Sequence, residues 1–334
     1  MRTRLHDFDY DCPLSILIGE NGSGKSQALA DIAEAYISKN RTVIAIANCP
    51  FDKFRDKGKR YFFMGGRYGQ TFLSIALQRV IASIKEPSDT RFLIGKVLER
   101  LGYEPRMGIC QENAKARIDW FDLGSSQSSE SLSRYSDKGA WTLNLYKDEL
   151  RNWPAIFLHK GNEQFPLEQA SSGEIQLITT LAFIASHIDK DAAILIDEPE
   201  NSLHPRWQHD YIKRLFDLFH YHRPRVVIAT HSPVMVTTAP HAEMPWQAYA
   251  VKNNAPRPLD CGDEGMEQVL WDVFRMLTPR SAFLSHHMTT LLHRRQQGML
   301  TEQLFHREFD ELEAAAAHDG KQLLLIRKAR MLVS

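Results

Sequence analysis

The chain has 334 residues, 43% of them apolar, with 41 basic and 41 acidic side chains and so no formal net charge. At about 150 residues per domain this allows one large α/β domain with an insertion, or two domains, with a core that needs no staples. Balanced charge excludes a bulk-basic nucleic-acid coat and an acidic tail, and no run of about 18 apolar residues is present to form a transmembrane helix.

The first residues, MRTRLHDFDYDCPL, lack an apolar h-region and do not read as a secretory signal. Residues 14–18 (LSILI), between Pro13 and Gly19, read as a buried strand. A helix follows over about 25–38, with Leu29, Ile32, Ala33, Tyr36 and Ile37 on one face. Strand candidates come at 42–47 (TVIAIA) and 61–64 (YFFM). Residues 70–150 change character: helical patterns at about 71–84 and 91–102 precede a polar stretch with SSQSSES at 125–131, read as a loop. The segment is expected to be a mainly helical insertion, without the sustained heptad of a coiled-coil arm.

The α/β pattern resumes with a strand at 155–159, a helix at about 174–187, a strand at 192–196, a helix at about 206–221 and a strand at 225–229. After 247–252 the chain reads as helices at about 265–276, 281–297, 301–317 and 320–330. Alternation of this kind predicts a mostly parallel α/β sheet. The expected organisation is an N-terminal lobe over 1–69, the insertion over 70–150, a C-terminal lobe over 151–255 and a helical tail over 256–334. Cys12, Cys49, Cys110 and Cys261 are scattered with no CxxC pair, which predicts free thiols in a reducing cytoplasm.

Four motifs carry chemistry. Gly19-Glu20-Asn21-Gly22-Ser23-Gly24-Lys25-Ser26 matches GxxxxGK[ST] between a predicted strand and a predicted helix. Backbone N–H groups from Asn21 to Ser26 cradle phosphates in such a loop, and the helix N-terminus adds favourable partial charge. Lys25 reaches the β- and γ-phosphates and Ser26 ligates Mg²⁺. The strand at 192–196 runs into Asp197-Glu198, at the edge where open α/β sheets bind ligands. There Asp197 is placed to hold Mg²⁺ and Glu198 to polarise the attacking water. Ala170-Ser171-Ser172-Gly173-Glu174 opens a helix and offers hydroxyls and free N–H groups to an anion; the same residues also read as a capping box. Thr230-His231-Ser232-Pro233 follows a strand, so His231 lies beside the acid pair if the two strands are neighbours.

In this order the four motifs resemble those of the ABC-type ATPases, firmly over 14–30 and 165–235. Pro199-Glu200-Asn201-Ser202-Leu203-His204-Pro205 looks like the D-loop of that class. The resemblance implies Mg²⁺-dependent ATP hydrolysis in which His231 senses the γ-phosphate. It also implies that Ser171 and Gly173 act in trans across a head-to-tail dimer. The wording SSGE, DEPENSLHP and THSP is more similar to the branch of RecF, the OLD-family proteins and the small ATPases of bacterial anti-phage systems. Residues 47–54 and YFFMGGRYG are similar to ATPases of the Septu and retron-associated systems. That branch implies a cytoplasmic switch acting on a separate soluble effector, a nuclease, in anti-phage defence or DNA metabolism. The ATP-binding subunit of a membrane transporter is the alternative, and an intact Glu198 argues against a non-hydrolysing scaffold.

Ala170 and Ser172 depart from the usual leucine and glycine of the signature, and Gln70 is the candidate for the Q-loop glutamine. His286, His287 and His293 fit no metal-ligand spacing. Basic clusters at Arg55, Lys57, Lys59 and Arg60, at Arg294 and Arg295, and at Arg327, Lys328 and Arg330 are candidates for contact with DNA or RNA phosphates, or are solvated faces.

Overall fold

A computed structural model of the chain describes residues 5–56, 58–65, 80, 89–110, 118–124, 155–259, 266–278, 282–317 and 319–332. In chain order, β1 (Leu14–Ile18) leads through the glycine-rich loop into α1 (Lys25–Ser38), followed by β2 (Val43–Ala47) and β3 (Tyr61–Gly65). Then come α2 (Asp89–Arg100), β4 (Arg106–Cys110), β5 (Ile118–Asp122), β6 (Ala155–Lys160) and β7 (Glu163–Pro166). The chain continues through α3 (Ser172–Ala185), β8 (Ala193–Asp197), α4 (Pro205–Phe219), β9 (Arg225–Thr230) and the short α5 (Pro233–Thr237). The hairpin β10 (Trp246–Lys252) and β11 (Ala255–Leu259) precedes α6 (Met266–Phe274), α7 (Ala282–Gln296), α8 (Glu302–Ala315) and α9 (Gly320–Arg330).

The main sheet has the order β11-β10-β1-β9-β8-β2-β3. All neighbours pair in parallel except β11, which closes one edge antiparallel to β10. Continuous apolar runs such as LSILI, VIAIA and AILID suit parallel strands that are covered on both faces. Their side chains alternate between two cores. Ile16, Ile44, Ile194, Ile196 and Ile228 face one side, with α3 and α4 residues such as Leu181 and Leu215. Leu17, Ala45, Leu195 and Val227 face the other, against Leu29, Ile32 and Tyr36 of α1. A third cluster, around Trp271, Phe283, Phe305, Phe309 and Ile326, holds the helical tail together. Helix α6 joins it to the head, with Val269 in the sheet core and Trp271 in the tail core.

The α/β class and mostly parallel sheet match the expectation. Two features do not. In the insertion over 70–150, expected to be mainly helical, the described part forms the strands β4 and β5 besides α2. The strand expected at 155–159 does not join the parallel sheet; as β6 it pairs antiparallel with β4 and β7 in a second sheet of order β5-β4-β6-β7. Short mixed segments such as RMGIC and IDWFD lack a clean period of two, so only pairing defines them as strands. The helix expected at 71–84 and the loop at 125–131 lie outside the described residues, apart from Val80.

Trp271 is fully buried in the tail cluster. Replacing it with alanine should cost about 3–5 kcal/mol, read as a lower midpoint in chemical denaturation. Because the cluster is separate from the sheet cores, nucleotide affinity of the folded variant should stay at the wild-type value.

Candidate functional site

Strand adjacency builds the site. β9 lies between β1 and β8, with Ile18 opposite Thr230 and Asp197 opposite Ala229. The glycine-rich loop, Asp197-Glu198 and Thr230-His231 therefore leave the sheet side by side at its C-terminal edge. Ala47 of β2 stands opposite Asp197 on the other flank.

The loop ends at Gly24, which caps α1 with φ of 101°, a conformation that L side chains rarely adopt. A side chain there would also strike Asn254, which occupies the turn between β10 and β11. The Asn254 backbone N–H donates to the Ser23 carbonyl at 2.9 Å. The loop is thus braced from outside by a hairpin that the sequence reading did not anticipate. The available signal was Asn253-Asn254, both in left-handed backbone (φ of 54° and 59°), a pair suited to a tight turn. Lys25 is buried, and its ammonium donates to the carbonyls of Gly19 at 2.8 Å and Glu20 at 2.9 Å. Burial lowers its pKa, while the carboxylates of Glu198, Asp197 and Glu200 oppose that shift. Asn21 and Gly22 are exposed, and Ser23, Gly24 and Ser26 partly so.

Asp197 is fully buried, and burial raises its pKa to about 6. The Ser26 hydroxyl and the Cys49 thiol, 3.7 Å from Oδ2, pull it down, and Glu198 pushes it up. Its Oδ1 is buried with no hydrogen-bond partner among the described residues. An orphaned carboxylate oxygen beside a serine hydroxyl is a hard-oxygen donor set that suits Mg²⁺.

Glu198 has φ of 51°, in the left-handed region that ordinary side chains avoid and that recurs at functional sites. Its N–H donates to the Ala229 carbonyl at 2.8 Å, and Asn201 Nδ2 donates to its Oε2 at 2.9 Å. His231 Nδ1 is 3.9 Å from Glu198 Oε1 and 3.2 Å from Glu200 Oε1. The structure thus places Glu198 and His231 together, as the neighbouring-strand condition required. It adds Glu200 and Asn201, which the sequence reading had only as part of a D-loop.

The Ser-Gly segment is a capping box. Glu174 N–H donates to Ser171 Oγ at 3.3 Å, and Ser171 N–H donates to Glu174 Oε2 at 3.1 Å. Burial pushes the Glu174 carboxyl up, but the hydroxyls of Ser171 and Tyr103, the Ser171 N–H and Lys160 outweigh it and hold the pKa down at about 2. Ser171 is exposed. Gly173 is buried, and a Cβ there would come within 2.8 Å of the Ser202 carbonyl and 2.9 Å of the Trp207 ring. Its lack of a side chain lets α3 press against the turn that follows the acid pair.

Gln70 and Lys57 lie outside the described residues. Much of the remaining basic charge is neutralised internally. Arg55 pairs with Glu34, Arg60 with Asp189, Arg295 with Glu302, Arg327 with Glu313, and Arg330 with Asp310 and Glu313. His287 packs on Phe283 and Trp271, and no cluster of His, Cys, Asp and Glu suited to a metal occurs among the described residues. Nor does any described helix have the length and apolarity to cross a membrane.

Residues 121–237 match the family described as "AAA domain, putative AbiEii toxin, Type IV TA system". The match spans the capping-box helix, the acid pair and His231. The chain is 24% identical to protein ea59 of Escherichia phage lambda over 313 positions, covering 81% of this chain and 55% of that protein. It therefore spans about half the length of this curated relative. Among solved structures, an inward-facing "putative metal-chelate type ABC transporter" is 14% identical with a TM-score of 0.36, covering 83% of this chain and 87% of that one. An Smc head domain from Pyrococcus furiosus, bound to the C-terminal domain of ScpA, is 16% identical with a TM-score of 0.29, covering 58% and 38%. At such scores these two likenesses add nothing to what the strand order and the matched segment show. The mostly parallel α/β sheet, with the glycine-rich loop at its C-terminal edge, is consistent with a P-loop nucleotide-binding fold, and the matched segment is similar to an AAA-type domain.

Asp197 supplies a pH test. Its pKa of about 6 lies above the ordinary aspartate value of 3.8, so the folded protein holds this proton more tightly than the unfolded chain does. The buried charge therefore costs stability in full above about pH 6, and that cost shrinks as pH falls toward 3.8. Asp197→Asn should stabilise the nucleotide- and Mg²⁺-free protein at pH 7.5 by at most about 3 kcal/mol, a gain roughly halved at pH 5. Thermal melts of both proteins at the two pH values read this directly.

Proposed function

We propose that the protein hydrolyses ATP with Mg²⁺ as a head-to-tail dimer and uses the cycle to control a separate effector. The reading rests on one observation: β1, β9 and β8 are neighbours, so Lys25, Asp197, Glu198 and His231 share one sheet edge. Lys25 and the loop N–H groups would balance phosphate charge, and Ser26 and Asp197 would hold Mg²⁺, which supplies further charge neutralisation. Glu198 would orient water, and His231 would meet the γ-phosphate. Exposed Ser171 would complete the site of a second copy, while buried Gly173 serves that role indirectly, by seating α3 on the Ser202 turn. Head lobes over 1–69 and 151–255 would build the nucleotide site, leaving the insertion (70–150) and tail (256–334) for the effector. Gln70 would be the Q-loop residue.

A nuclease effector and a role in anti-phage defence or DNA metabolism remain the preferred setting. The matched family's description names a toxin of a toxin–antitoxin system, and ea59 belongs to a phage; both support a role in phage–host conflict. The pairing of Arg295, Arg327 and Arg330 with acidic side chains reduces the positive charge that the tail offers to DNA or RNA, which favours a protein partner there.

Lys25→Ala should lower ATP turnover by about 10²–10³-fold or more, since it removes the positive side chain nearest the phosphates. Glu198→Gln should bind ATP, turn over at least about 10²-fold more slowly and accumulate as dimers in size-exclusion chromatography with ATP. Wild-type turnover in Lys25→Ala would overturn the assignment of the site. Co-purification from the native host, with growth and phage plating of wild type and Glu198→Gln, tests the effector.

Ser171 tests the trans site. Ser171→Arg should leave ATP binding by one head intact and block turnover. Ser171→Ala, which loses the same cap at about 1 kcal/mol without added bulk, should retain turnover. Equal ATPase rates in wild type and Ser171→Arg would rule out a composite site.

A further inference from the structure

Glu200 is a buried carboxylate, 5% exposed, in the turn between β8 and α4. Two donors converge on its Oε1, the Thr230 hydroxyl at 2.5 Å and the His231 N–H at 2.7 Å, and His231 Nδ1 lies within ion-pair distance of the same oxygen at 3.2 Å. Its Oε2 is buried with no hydrogen-bond partner among the described residues. The contacts extend outward. Ser232 N–H donates to Thr230 Oγ1 at 2.9 Å, Ser232 Oγ donates to Gln208 Oε1 at 2.9 Å, and Gln208 Nε2 donates to the Leu203 carbonyl at 3.0 Å. One chain of hydrogen bonds thus ties the turn after the acid pair to the end of β9.

A buried charge is a poor way to gain stability, because desolvation offsets most of what its partners return. Here it sits against a histidine whose side chain is 42% exposed. What the arrangement secures is orientation. Glu200 fixes the His231 main chain through its N–H and stands 3.2 Å from Nδ1 of the ring. A carboxylate oxygen this close to Nδ1 favours a proton on that nitrogen, which leaves Nε2 for whatever meets the exposed edge of the ring.

We propose that Glu200 is the positioning residue of this site: it orients His231 so that Nε2 meets the γ-phosphate beside Glu198. The inference rests on the ATPase reading above. It assigns Glu200 no contact with nucleotide, so loss of Glu200 should slow turnover without weakening binding.

The test is a double-mutant cycle with Glu200→Gln and His231→Ala. Glu200→Gln should lower kcat by about 10–100-fold while KM and the Kd for a fluorescent ATP analogue stay within about two-fold. In the His231→Ala background the same substitution should cost less than about three-fold, because residues acting through one another are not additive. Thr230→Val, which removes one donor to Oε1 and leaves every charge in place, should give a weaker form of the same pattern. Equal costs in both backgrounds, or a parallel loss of ATP affinity, would overturn the proposal.

A second measurement does not depend on turnover. In protein labelled with ¹⁵N-histidine, the His231 resonances, identified by their loss in His231→Ala, should show a proton held on Nδ1. Glu200→Gln should shift the pattern toward the Nε2–H tautomer. Identical spectra would overturn the orienting contact. A wild-type protein with no ATPase activity but with this spectral change would reject the ATPase reading and leave the orienting contact standing.

Discussion

Parallel pairing of β1, β9 and β8 is the constraint on which the other features depend. Each strand is apolar along its whole length, so it must be covered on both faces, and α1 on one side with α3 and α4 on the other provide that cover. Polar residues are therefore driven to the strand ends. Parallel alignment collects three such ends at one edge, and that edge holds the phosphate loop, the acid pair and His231. The same sterics that give a stable core thus concentrate charge within a few ångströms.

That concentration has a cost the sequence distributes unevenly. Asp197 is fully buried and its pKa rises, Glu200 is buried but bonded by Thr230 and His231, and Glu198 is more exposed and held by Asn201. Three carboxylates surround one buried ammonium, Lys25, which is also satisfied by two loop carbonyls. Each acid meets different partners, which suits the distinct roles proposed for Asp197, Glu198 and Glu200. At the start of α3, Glu174 binds Ser171 and Lys160, which links that helix to β6 of the small sheet.

The legible parts were those with strong local signals. β1, β8 and β9 are long apolar runs, and the glycine-rich loop has a fixed spacing between strand and helix. Their pairing order was not legible, because nothing local says which strands are neighbours; it entered the reading only as a condition on His231. β4, β5, β7 and β11 escaped because their segments are short, mixed in polarity or, in β11, carry two prolines. Glu200 was visible within a motif, but its partner lies about thirty residues away, across a sheet edge. Asn254 is further still in sequence from Ser23. Serine 171 showed the opposite difficulty: capping and anion binding call for the same residues, and the capping contacts are the ones formed.

The bracing of the phosphate loop by the β10–β11 turn bears on how the protein can vary. Exposed hairpin tips are ordinarily where chains tolerate insertions, nicks and new termini. This one hydrogen-bonds the Ser23 carbonyl and fills the space in front of Gly24. An added residue would move Asn254 off the loop, so the turn is fixed in length while other surface turns are free to drift. Adaptation to a new partner must therefore come from elsewhere on the surface, and the sheet edge that begins the helical tail stays tied to the glycines that begin α1.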